Sequence, residues 1–112
     1  MDRYNRQITE NGLGGAGDTK VAMKTASATL KPYEQVVRCD STAGAMTITL
    51  PNVGEAKGLT FSITLVTDNG DVTIQDQDES FNWSDLTLAD ANDRYLLFSD
   101  GTEWWTLASV GI

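Results

Sequence analysis

Four groups of side chains in this sequence have types and spacings that could do chemistry. Gly12-Leu13-Gly14-Gly15-Ala16-Gly17 is a literal G-x-G-x-x-G, the glycine fingerprint of a dinucleotide-binding turn. Asp76-Gln77-Asp78-Glu79-Ser80 sets oxygens at alternate positions, as the start of a calcium loop does. Trp83, Trp104 and Trp105 offer flat rings on which a sugar could stack, and Cys39 is a lone thiol.

Each group needs supporting elements, and most lack them. A dinucleotide site requires a buried strand entering the glycine turn and a helix starting at its end, so that backbone N–H groups face the pyrophosphate. The approach here is RYNRQITEN, with Ile8 its only aliphatic residue, and the exit DTKVAMKTASATLKP is sparsely apolar and closed by Pro32. The glycines therefore read as a turning connector. An EF-hand needs glycine at its sixth place and an acid at its twelfth, where this chain has Phe81 and Thr87. The acidic stretch reads as a solvated loop.

No histidine is present, which removes the commonest general base near neutral pH and leaves Cys39 without an activating imidazole. Cys39 is expected to be a small buried thiol, and with one cysteine in the chain no zinc site is expected. Pairs of acids in turns have no cleft to serve as a glycosidase site. Adjacent residues of a strand point to opposite faces, so Trp104 and Trp105 cannot share one stacking platform. One is expected in the core and the other at an interface. Neither an enzyme nor a cofactor or metal carrier is expected.

The elements that hold these residues are short strands. The period is two in EQVVRCD (34–40), MTITLP (46–51), LTFSITLVT (59–67) and DVTIQ (71–75), with Met46, Ile48 and Leu50, then Phe61, Ile63 and Leu65, turned one way. RYLLFS (94–99) and EWWTLAS (103–109) are apolar on both faces, which calls for two covers, one of them a neighbouring copy. Asn69-Gly70 and Asp100-Gly101 predict two hairpins. Asn52-Val53-Gly54-Glu55 predicts a single capped helical turn ending at Gly58. The fold class is all-β: a small β-sandwich or open barrel of about six or seven short strands, residues 34–112, preceded by an extended N-terminal arm, residues 1–33.

Charge divides the same way. Of the eight Lys and Arg and sixteen Asp and Glu, residues 1–38 hold six cations and four acids, while residues 39–112 hold two cations and twelve acids. An acidic body repels phosphate backbones and acidic lipid, so neither nucleic acid nor membrane is an expected partner. No apolar run approaches the roughly 18 residues of a membrane helix, and MDRYNRQITENG lacks the apolar centre of a secretion signal. The expectation is synthesis in the cytoplasm.

The order TITLPNVGEAKGLTFSITLV, NGDVTI, an acidic loop and LTLADANDRYLLFSDGTEWWTLA resembles a small β module near the C-termini of bacteriophage structural proteins, such as head-decoration proteins, head fibres and tail fibres. The shared features are Leu50-Pro51 before a turn, Gly58 opening the next long strand, Val72-Thr73-Ile74, and the closing Ser99-Asp100-Gly101 with Trp104, over about residues 34–109. The resemblance implies a homotrimer on the virion surface and supplies no catalytic residues. With an arm in place of a long shaft, it implies a capsid decoration (cement) protein on the outer head, stabilising the shell non-covalently. Tyr4, Arg6, Ile8 and Leu13 are the expected anchors on the major capsid protein. Tyr95, Leu97, Trp104 and Trp105 are the expected oligomer interface. The alternative is a tail- or head-fibre tip module that recognises a host surface glycan.

Overall fold

The computed structural model of the chain describes residues 21–77 and 85–112. These form nine strands in two sheets: β1 (Val21–Lys24), β2 (Ala28–Thr29), β3 (Val36–Asp40), β4 (Met46–Thr49), β5 (Thr60–Thr67), β6 (Val72–Gln75), β7 (Leu86–Leu88), β8 (Arg94–Ser99) and β9 (Trp104–Val110). The larger sheet has the order β9-β8-β5-β3-β1 and the smaller β2-β4-β6-β7. Among the described residues there is no helix. The architecture is all-β, as expected, but its nine strands form two mixed sheets and do not make a plain sandwich of six or seven.

The difference lies in the connections. From β1 to β6 the chain alternates between the sheets, so successive strands stack in parallel instead of folding back as hairpins: β1 on β3 on β5, and β2 on β4 on β6. The chain thus winds through three coils and is closed by antiparallel β7, β8 and β9. Asn69-Gly70, expected as a hairpin, instead carries the chain from the larger sheet to the smaller. Its physical role is close stacking on the preceding coil. A Cβ at Gly70 would overlap the backbone of Gly44 and Ala45. Ser41 locks the two corners together: its hydroxyl donates to Gly70 O (2.9 Å) and accepts from Asn69 N–H (2.9 Å). The Asn69 amide then donates to Thr42 O (2.8 Å).

The other turns follow their residue chemistry. Asn52 Oδ1 accepts from Gly54 N–H (3.0 Å), Ala56 N–H reaches Asn52 O (3.1 Å), and Gly58 ends the turn with φ of 81°. Asp100-Gly101 does form a hairpin between β8 and β9, with Gly101 at φ of 94° and Asp100 Oδ1 accepting from the N–H groups of Thr102 and Glu103. β1 and β2 fall in the stretch read from sequence as arm, and both are paired within the sheets.

The core lies between the sheets and is built from register. Ile48 and Ile74 stack in one inward row with Ala28 and Leu86, and Met46 and Val72 in another with Leu88. From the larger sheet, Val37 and Ile63 align, Cys39 and Leu65 align, and Phe61 faces Leu97 across β5 and β8. Trp104 closes the core at full burial, its ring edge-to-face on Phe61 with centroids 5.6 Å apart.

Candidate interaction surface

The two sheets turn very different faces outward. On the smaller sheet the outward rows are Thr29, Thr49 and Gln75, and Thr47, Thr73 and Thr87. Every member is polar, and the Gln75 amide donates to Thr49 Oγ1 (3.1 Å) within the row. Such a face is comfortable in water.

The larger sheet turns out three rows of another kind. The first is Thr60, Phe98 and Trp105; the second is Val21, Val36, Ser62, Leu96 and Ala108; the third is Met23, Arg38, Thr64, Arg94 and Val110. Val21 is 62 % exposed, Met23 54 % and Trp105 43 %, values far above those of the core. A bulge between Thr106 and Ala108 adds to this face. Trp105 points outward, alternation sends Leu107 the same way, and Ala108 pairs with outward Leu96, so both residues serve the outer side. Leu107 is 56 % exposed. The apolar side chains lie on both sides of β5, whose outward residues Thr60, Ser62 and Thr64 are polar; exposed apolar side chains gathered on one side of a small domain are a usual sign of a protein contact.

Among the described residues β9 is an edge strand of the larger sheet and extends the exposure there. The larger sheet has a fifth strand with no counterpart in the smaller, and past Trp104 every residue of β9 is exposed. A depression of about 220 Å³ opens where β9 meets β8, lined by Ser62, Arg94, Leu96, Ala108 and Val110 among others.

The positions of the expected interface residues are mixed. Leu97 and Trp104 are fully buried in this chain's own core, because both lie on the inward side of the register, so they have no surface left to offer. Tyr95 is half-buried against that core. Trp105 is exposed on the outer face, with its indole N–H donated to Asp100 Oδ2 (2.9 Å). That bond, with the Glu103 and Thr102 N–H groups, holds the Asp100 carboxyl below its ordinary value. The opposite orientation of Trp104 and Trp105 is as the strand period requires. Tyr4, Arg6, Ile8, Leu13, the glycine run, Trp83 and the acids at 78 and 79 lie outside the described residues.

Reading the sequence missed Val21, Met23, Val36, Arg38, Leu96 and Phe98 as members of one surface. Period two was visible in Val21 and Met23, but without the parallel register nothing joined β1 to β8.

The electrostatics of the face are also uneven. Arg38 and Arg94 flank Thr64 in one outward row. The three outward rows contain no acid, and among the described residues neither arginine is in an ion pair. Two acids flank the rows: Asp40, two residues past Arg38 on β3, accepts at Oδ1 from the Thr42 N–H (2.9 Å), and Asp100 accepts from the Trp105 indole. Elsewhere Lys24 pairs with Glu34 at 2.8 Å. Partial burial pushes Glu34 up, but the bonds from Lys24 and from the Lys31 N–H outweigh it and its pKa is lowered.

Cys39 occupies the buried position expected of it, and desolvation pushes its thiol up to about 11 despite nearby Lys24. A protonated, enclosed thiol is a poor nucleophile. Among the described residues no three Asp, Glu or Cys side chains converge as metal ligands. What the arrangement can do is bind another surface. No protein-family model matches the chain, and no curated protein matches it.

Proposed function

We propose that this protein is a bacteriophage head-decoration protein that self-associates, as a homotrimer, on the outer capsid and stabilises the shell without covalent chemistry. The observation that carries the reading is the contrast between the two outer faces: only threonine and glutamine in the rows of one sheet, and on the other valine, methionine, leucine, phenylalanine and tryptophan beside Arg38, Arg94 and the polar outer residues of β5. One face suits solvent and the other suits a protein neighbour. The resemblance of residues 34–109 to phage head and fibre modules supports the setting. Residues 1–20, with Tyr4, Arg6, Ile8 and Leu13, would anchor on the major capsid protein, and binding only the assembled shell would stabilise it by mass action. The test is co-sedimentation with purified shells. The full chain should bind, and a chain lacking residues 1–17 should fold but not bind; binding by the truncated chain would remove the arm from the mechanism.

A second reading rests on Trp105. Its ring is exposed while its N–H is fixed by Asp100, which is how a sugar-stacking side chain is held ready. As a fibre-tip module the body would then recognise a host surface glycan. Binding of the body to a glycan array, lost in Trp105→Ala, would favour this over decoration.

A further inference from the structure

The outer face of the larger sheet has a polar line down its middle. Thr60, Ser62 and Thr64 point outward from β5, with apolar Leu96 and Phe98 of β8 on one side and Val36 of β3 on the other. Among the described residues none of these three hydroxyls is bonded within the chain, whereas Thr49 on the opposite sheet accepts from Gln75. The line ends at Thr64, which Arg38 and Arg94 flank in one row. Neighbouring strands are about 4.8 Å apart, so a single anion above Thr64 is within reach of both guanidinium groups. Neither arginine is in an ion pair among the described residues. The two acids that border the face have other partners: Asp40 accepts at Oδ1 from the Thr42 N–H and hydroxyl, and Asp100, at the far end, accepts from the Trp105 indole and from the N–H groups of Thr102 and Glu103. Trp105 stands in the row of Thr60 and Phe98, four residues along β8 from Arg94, or about 14 Å away. The depression of about 220 Å³ opens along this path, beside Ser62 and Leu96 and next to Arg94.

We infer that this face binds a sugar chain bearing a carboxylate, with one sugar stacked on Trp105 and the carboxylate held over Thr64 between Arg38 and Arg94. The inference rests on the second reading above, in which the face is open to a host glycan, and it names the class of glycan. A sugar ring has C–H groups on its flat side and hydroxyls round its rim, so it matches an exposed indole and a line of free hydroxyls together. An acidic peptide calls for the arginines but not for this combination. Arginine meets a carboxylate through paired N–H bonds, and two arginines on one carboxylate make the contact selective against neutral chains. The formal charge of −8 on the whole chain repels a dense polyanion, so the ligand carries its carboxylates singly among neutral sugars.

The experiment is calorimetric titration of the full chain with sialyllactose and with a hyaluronan hexasaccharide, each beside its carboxyl-reduced form, with folding followed by circular dichroism. The acidic form of at least one pair should bind about tenfold or more tighter than its reduced form. R38Q/R94Q should bind that acidic form only as well as the wild-type chain binds the reduced one, and Trp105→Ala should weaken both forms. Equal affinity for the two forms, or a preference that R38Q/R94Q keeps, overturns the inference and leaves glycan recognition standing. Binding of polyglutamate that exceeds that of the sugars, needs the arginines and is unaffected by Trp105→Ala makes the occupant an acidic peptide and overturns the sugar assignment. No binding of either pair overturns the inference together with the reading beneath it.

Discussion

Gly70 lies against the backbone of Ala45 at a point where one coil of the chain stacks on the next, and no side chain fits between them. The contact is backbone on backbone, so neither neighbour can swing aside. Ser41 binds both corners, which makes the stack a hydrogen-bonded unit.

Gly70→Ala is therefore expected to destabilise the fold by about 1–3 kcal/mol, the usual cost of overpacking. Urea denaturation should show a lower midpoint with an unchanged slope. A midpoint equal to wild type would mean that the corners are not in contact in solution.

The adjacent tryptophans should separate cleanly. Trp104→Ala empties the core beside Phe61 and should cost about 3–5 kcal/mol. Trp105→Ala touches no core and should leave thermal stability within about 1 kcal/mol of wild type. It should nonetheless weaken self-association, read by sedimentation. Equal losses of stability from both substitutions would contradict the assignment of faces.

The bond between Trp105 and Asp100 has a pH signature. Asp100 titrates below its ordinary 3.8 because the folded state donates the indole and backbone N–H groups to its carboxylate. A depressed folded pKa contributes stability above the unfolded value and loses it as pH falls through the folded one. Trp105→Phe removes the indole donor, so the Asp100 pKa should rise, observed by carboxyl NMR titration. Any stability gap between the two chains arising from this bond should close as the pH drops below the wild-type value.

Cys39 behaves in the opposite sense. Its folded pKa is raised, from 9.0 to about 11, because burial disfavours the thiolate. The contribution is whole below pH 9.0 and declines as pH rises toward 11, where the unfolded chain gives up its proton first. Iodoacetamide should label the native protein only slowly at neutral pH and rapidly in denaturant. Cys39→Ala should flatten the loss of stability above pH 9.0.

Much of this architecture was legible in residue patterns. Met46, Ile48, Phe61, Ile63, Leu65, Val72 and Ile74 alternate with threonines and serines, and all seven are in the core. Asn52 and Gly58 marked a turn, and Asp100-Gly101 a hairpin, because these positions depend on local backbone chemistry. Connectivity was not legible. Asn-Gly between two strands is the chemistry of a hairpin and also that of a tight corner between sheets, and only the long-range contact of Gly70 with Ala45 distinguishes them. The same gap hid the interaction surface. Its residues come from β1, β3, β5, β8 and β9, and their placement in common rows depends on long-range register that no local pattern encodes.

The inward row of Ala28, Ile48 and Ile74 repeats one position from turn to turn of the winding. Growth or shortening of such a molecule proceeds most smoothly by whole windings, since each added lap meets a ready-made ledge above and offers another below. Its natural unit of length change is thus a lap of chain between the two sheets, and the stripe of hydroxyls on one flank would lengthen in step with the greasy flank opposite.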